Sequence, residues 1–139
     1  MAEQTPQLGG LLPGVDLVDV AQVRESIESF GAHYLQRLHT PAEIATLLVF
    51  QPAQLPAQAA ARFAAKEAVF KALRLPQSVT MAWTDIEIAT HDEDDTGRTG
   101  LAVRLHGAVR AWAEQNRLGP IRLSITHTDH HAMALAVAS

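Results

Sequence analysis

Both lysines of this 139-residue chain, Lys66 and Lys71, lie in one segment, Arg62-Phe63-Ala64-Ala65-Lys66-Glu67-Ala68-Val69-Phe70-Lys71-Ala72-Leu73, while nine arginines supply the rest of its positive charge. The alanine-rich run from about Ala59 to Leu73, which Pro76 terminates, predicts a helix, so the lysine motif is helical. On that helix Glu67 and Lys71 are four apart and share a face, and Phe63 and Phe70 supply apolar anchorage. An exposed ion pair at this spacing is commonplace and adds only about 0.2–0.5 kcal/mol. Keeping both lysines beside a glutamate suggests instead a placement for chemistry.

The rest of the chain sets the frame. At this length it is one domain, able to bury roughly two thirds of its unfolded surface in a single core. Residues 1–10 are polar, carry Pro6 and end in Gly9-Gly10, and are expected to be a flexible extension; residues 11–139 form the domain. Eleven basic against fifteen acidic side chains leave a net charge of −4, which argues against broad attraction to nucleic acid or an anionic membrane. The sequence has no cysteine, hence no disulfide and no thiolate metal site. With no basic leader and no long apolar stretch, the expectation is a soluble cytoplasmic protein.

Leu11 to Val20 reads as a short buried strand carrying Asp16. Val23, Ile27, Phe30, Tyr34 and Leu38 form one stripe of an amphipathic helix over 21–38, with Gly31 as a point of interruption. Thr40-Pro41-Ala42-Glu43 combines an N-cap hydroxyl, a first-turn proline and a glutamate three residues on, so a second helix starts there and runs to about Phe50. Asp85–Thr90 alternates as a strand. An acidic turn from Asp92 to Gly97 joins it to a second alternating run through Val103 and Leu105, giving a hairpin. Gly107–Arg117 is a helix; Ile121–Thr126 and Ala132–Ala138 are strands joined by the turn Thr128-Asp129-His130-His131. The fold class is α+β, an antiparallel sheet packed with helices.

A strand carboxylate and a helix carboxylate, Asp16 and Glu67, can supply two hard oxygen ligands to magnesium, which commonly takes one or two protein carboxylates and leaves the remaining positions to phosphate and water. Lys71, one turn on, can neutralise phosphate charge. Asp19 competes with Asp16 for the ligand role, and a lone strand aspartate is more often a turn partner or a helix-capping acceptor. Alternation puts Ser124, Thr126 and Thr128 on one side of their strand and Ile125 and His127 on the other. The cluster His127, Asp129, His130 and His131 invites a zinc reading, but adjacent side chains in an extended turn point apart and complete a tetrahedron poorly.

Taken together, Gly14-Val15-Asp16, the segment Phe63 to Lys71 and Ser124-Ile125-Thr126-His127-Thr128 resemble the phosphopantetheinyl transferases, and most nearly their short holo-[acyl-carrier-protein] synthase type. The resemblance covers Leu12 to Ala138, and its middle motif is the most specific. It implies transfer of the 4′-phosphopantetheine arm of coenzyme A to a serine of apo acyl carrier protein or a carrier domain, with release of adenosine 3′,5′-bisphosphate. Magnesium is the implied cofactor, fatty acid biosynthesis the implied setting and a homotrimer the implied assembly. By the same resemblance Asp16 and Glu67 match metal ligands, Lys71 a coenzyme A phosphate contact, and Arg62, Lys66 and His127 nucleotide-side contacts. A metal-bound water or Glu67 takes the serine proton, so Glu67 and Lys71 are the catalytic candidates. Two departures stand out: Gln22, where the family often has a basic carrier-docking residue, with Arg24 flanked by Glu25 and Glu28; and Thr99 after Gly97-Arg98, where proline is common. The alternative is a non-catalytic coenzyme A or nucleotide-binding module that regulates a synthase.

Overall fold

The computed structural model describes residues 10–91 and 100–139. In chain order its elements are β1 (Leu12–Asp19), α1 (Val20–Phe30), α2 (Ala32–Leu38), α3 (Pro41–Leu47), α4 (Leu55–Leu73), a 3-10 turn (Trp83–Asp85), β2 (Ile86–His91), β3 (Gly100–Leu105), α5 (Gly107–Gln115), β4 (Arg122–His127) and β5 (His131–Ala138). They form two antiparallel sheets, β1-β5-β4 and the hairpin β2-β3, with α4 packed on the first. The expected acidic turn at Asp92–Gly97 and the Gly97-Arg98-Thr99 run lie outside the described residues, as does the extension up to Gly9.

What lets α4 sit on the three-stranded sheet is the size of the side chains between them. On β5 every second residue, Ala132, Ala134, Ala136 and Ala138, is a buried alanine. From α4, Ala64, Ala65, Ala68 and Ala72 are buried in the same core. On β1 the matching position is Gly14, paired with Ala136. A Cβ there would stand 2.0 Å from the carbonyl oxygen of Ala68 and 2.6 Å from the amide nitrogen of Ala72. Backbone thus meets backbone, and only glycine fits. Larger side chains, Ile86, Ile88, Val109 and Leu73, complete the core on the far side of α4.

The expected helix over 21–38 is two helices. Gly31 takes φ 54°, a left-handed conformation that costs glycine little, and its amide closes α1 by donating to the Ile27 carbonyl. Asp19 is the N-cap of α1, accepting a 2.9 Å hydrogen bond from the Ala21 amide, which removes it from competition with Asp16. The capping box at Thr40–Glu43 forms as expected, with Glu43 Nα–H donating to Thr40 Oγ1 at 3.2 Å and Thr40 Nα–H to Glu43 Oε1 at 2.8 Å. The helix ends at Leu47 rather than Phe50, and α4 starts four residues earlier than expected, because Pro56 falls in its first turn where no amide donor is missed. β1 is not buried on both faces. Gly14, Asp16 and Val18 face α4, whereas Val15 and Leu17 face outward.

Gly14→Ala should therefore cost about 3 kcal/mol or more, the upper range for overpacking, because the clash is with backbone that has no rotamer to yield. Urea unfolding measures this; a variant of wild-type stability would show that β1 and α4 are not held as closely as described.

Candidate active site

The Gly14 contact brings the next inward residue of β1, Asp16, against the turn of α4 that carries Glu67 and Lys71. Lys71 Nζ donates to Asp16 Oδ1 at 2.9 Å and to the Val15 carbonyl at 3.1 Å. The Asp16 carboxylate is 15 % exposed and the Lys71 side chain 48 %, so the pair lies at the rim of the helix–sheet junction, open to solvent on the lysine side. Glu67 lies within their field: burial first and the Asp16 charge second raise its pKa, while Lys71 opposes both. The i,i+4 ion pair that would explain Glu67 and Lys71 as surface decoration is replaced by a contact between Lys71 and β1. Two carboxylates and one ammonium thus converge from two elements distant in sequence.

Lys66 requires a correction. Expected at the nucleotide side, its side chain is fully buried and turned to the other flank of α4, where Nζ donates to Glu43 Oε1 at 2.9 Å, the Trp83 carbonyl at 3.0 Å and the Ile86 carbonyl at 2.6 Å. An ammonium has three donors, and all three are engaged within the protein. Glu43 is equally saturated, its Oε2 accepting from the Ile88 amide at 3.0 Å. Burial lowers the Lys66 pKa and Glu43 opposes the shift; with each hydrogen-bonding group matched, the pair ties α3, α4, the 3-10 turn and β2 together.

Arg62 is also mostly buried. Its Nη1 donates to Gln58 Oε1 at 2.8 Å and to the Gln58 carbonyl at 3.3 Å, and its guanidinium lies 5.4 Å from the centre of the Phe50 ring. His127 is exposed at the end of β4. It pairs with Ala132, which pairs with Val18, so it shares the inward face of the sheet with Asp16 but lies two strands away. The structure thus joins Asp16, Glu67 and Lys71 and leaves Arg62 and His127 outside that cluster.

Sequence reasoning left out a cavity of about 480 Å³ next to the site, between α1, α2 and the rings of Phe63 and Trp83, with Val18, Gln22, Tyr34 and Arg37 among its lining. Val18 follows Asp16 on the same face of β1, and Phe63 is one turn from Glu67. Trp83 packs edge-on to both Phe63 and Phe70, at 5.5 and 5.9 Å between ring centres. The phenylalanine spacing was readable; that Trp83 completes the wall was not, because its place follows from the loop after α4.

Among the described residues no group of three or more histidine, aspartate and glutamate side chains converges on one point. A cation here would have two protein carboxylates and take its other ligands from substrate and water, as magnesium does. The donor set fits: both carboxylates are hard oxygen ligands, and the Lys71 ammonium on Asp16 shows that the site already balances its negative charge with a cation.

Residues 13–136 match the model of the 4′-phosphopantetheinyl transferase superfamily. The chain is 40% identical over 121 residues to the holo-[acyl-carrier-protein] synthase of Solibacter usitatus, covering 87% of this chain and 91% of that protein. Its fold matches the crystal structure of the holo-[acyl-carrier-protein] synthase from Neisseria meningitidis with a TM-score of 0.72 at 25% identity, over 91% of this chain and 96% of that one. The Chronobacterium ammoniagenes relative, solved as a complex with coenzyme A, matches with a TM-score of 0.74 at 26% identity, over 92% and 96% of the two chains. The chain belongs to the 4′-phosphopantetheinyl transferase superfamily, in its short holo-[acyl-carrier-protein] synthase type. It is accordingly a transferase, and the α+β class expected from the sequence is the class observed.

If Lys66 is structural, Lys66→Met should cost about 3–5 kcal/mol by leaving the Glu43 charge buried and unpaired. Thermal unfolding checks this, and a stable variant whose only defect is a raised KM for coenzyme A would return Lys66 to the nucleotide side.

Proposed function

We propose that the protein transfers the 4′-phosphopantetheine arm of coenzyme A to a serine of apo acyl carrier protein or a carrier domain, releasing adenosine 3′,5′-bisphosphate, with magnesium as cofactor. The observation that carries this reading is the convergence of Asp16, Glu67 and Lys71 at one edge of the β1–α4 junction. Asp16 and Glu67 would hold the cation. When bound, it neutralises charge developing on the pyrophosphate oxygens and lowers the pKa of a coordinated water.

The carrier serine oxygen forms a bond to the β-phosphorus as the bond from that phosphorus to the bridging oxygen breaks, and the electron pair leaves with the bisphosphate. Lys71, half exposed, turns its ammonium from Asp16 to the phosphate oxygens and stabilises the charge that builds there. Glu67, or a water held beside it, accepts the serine proton. The cavity beside Phe63 supports a substrate that extends beyond its phosphates. Arg62 and His127 remain nucleotide-side candidates, reachable only if the ligand runs along α4 toward Phe50 or across the sheet toward β4.

The homotrimer is proposed from the family resemblance, and one observation supports self-association. The outer face of the β1-β5-β4 sheet pairs Val15 with Leu135 and Leu17 with Met133, and all four are exposed, Leu17 to 63 %. A contiguous apolar sheet face of this kind calls for a cover, and a second copy of the chain is the economical one. Val23 is buried and Ile27 half-buried, so α1 presents Arg24, Glu25 and Glu28 to solvent, a weakly charged surface for an acidic carrier. Among the described residues no helix is long and apolar enough to cross a membrane, and the setting proposed is the cytoplasm, in fatty acid biosynthesis, with residues 11–139 as the working domain.

Incubation with coenzyme A, magnesium and a panel of apo carriers, read by carrier mass, tests the reaction. Asp16→Asn and Glu67→Gln should each lower transfer at least about a hundredfold with folding retained, and Lys71→Ala should lower the rate at saturating coenzyme A more than it lowers stability. Wild-type rates in both carboxylate variants would remove the metal assignment. For the assembly, Leu17→Glu should yield monomers by light scattering; an unchanged mass would place the interface elsewhere.

A further inference from the structure

Arg74 follows α4 directly and takes φ 57°, ψ 44°, the left-handed conformation that helix ends usually give to glycine. It is exposed, so burial does not offset the strain of a Cβ in that region. What the residue gains is two carbonyls. Its Nη1 donates to the Lys71 carbonyl, one of those that a helix end leaves without an intrahelical partner, and its Nη2 donates to the Pro13 carbonyl at 3.2 Å. Lys71 Nζ takes the Val15 carbonyl. β1 is the edge of its sheet, with β5 as its one neighbour. The two basic side chains thus bind alternate edge carbonyls on either side of Gly14, the residue at which β1 and α4 touch.

We infer that Arg74 is a positioning residue for Lys71: by clamping the last turn of α4 to the edge of β1, it fixes the backbone from which the Lys71 ammonium reaches Asp16 and the substrate phosphates. This rests on the proposed function. A residue kept only to end a helix could be replaced by glycine, which relieves the left-handed strain, with no loss of turnover; a clamp could not. A residue that touches phosphate itself would show its loss in coenzyme A binding, and independently of Lys71.

Three substitutions separate these roles: Arg74→Gly, Arg74→Asn, which tolerates the left-handed region but reaches neither carbonyl, and Lys71→Ala, made alone and combined with each of the other two. Transfer is followed by carrier mass below the unfolding temperature, alongside thermal unfolding. The expected result is a Tm for Arg74→Gly at or above that of the parent, a kcat about tenfold lower in both Arg74 variants with KM for coenzyme A within about twofold, and no further loss when either is added to Lys71→Ala. A parental kcat in Arg74→Gly overturns the inference, as does a kcat loss that persists in full in the Lys71→Ala background or a dominant rise in KM. Failure of the parent protein itself to modify any carrier would instead overturn the proposed function, so the two failures are distinguishable.

Discussion

The contact between Gly14 and the backbone of α4 at Ala68 and Ala72 governs what the rest of the molecule can do. Most helices rest on sheets through branched side chains, at a distance set by their bulk. Here the surface beneath α4 is laid with Ala132, Ala134, Ala136, Ala138 and one glycine, and α4 answers with alanines. The helix comes close enough for its carbonyls to limit the strand. That approach is what allows a short aspartate on β1 to meet a lysine on α4 at 2.9 Å. Were the gap wider, Lys71 would have to extend further to meet Asp16, and the Asp16 charge would act less on Glu67.

Close approach needs its own insurance, because small side chains bury little apolar surface each. The opposite flank of α4 provides it. Lys66 and Glu43 are fully buried, and their interaction contributes less through net stabilisation than through what a misplacement would cost, since any rotation of α4 strips partners from two desolvated charges. Lys66 and Glu67 are consecutive, so the side chain that locks the helix and the one proposed to serve the site are set by the same backbone. The lock therefore governs the direction of Glu67 without touching it.

How much of this was legible varied with how local the cause was. The capping box at Thr40–Glu43, the hairpin strands and the strand–turn–strand at the C-terminal end follow from short-range patterns, and all formed near the expected bounds. The trio Asp16, Glu67 and Lys71 was legible because its motif is specific, although only the structure shows Lys71 choosing Asp16 over Glu67. Lys66 was set on the nucleotide side by resemblance alone, which says nothing of the carboxylate and two carbonyls that bury its ammonium here. Glu43 read as a helix cap, and a cap it is, yet the same carboxylate also receives Lys66 and the Ile88 amide, partners from elements far along the chain. The alternating alanines of β5 were in plain view; their meaning appears only once Gly14 lies in the same sheet.

The scarcity of lysine in a chain otherwise reliant on arginine acquires a physical explanation at each of the two positions. At residue 66 three acceptors, a carboxylate and two carbonyls from different elements, surround one buried point; a compact ammonium satisfies them with donors that can rotate, whereas a planar guanidinium would bring five donors and require a larger cavity. At residue 71 the requirement is mobility. In the proposed reaction the group rests on Asp16 and the Val15 carbonyl and then turns to phosphate, and a point charge on a flexible stem does so without surrendering a bidentate geometry. Arginine is used one turn further on, at residue 74, where two fixed carbonyls from separate elements are bridged by two nitrogens of a rigid fork. The choice between the two cations thus follows the geometry each site demands: a buried point at 66, a moving charge at 71, a fixed span at 74.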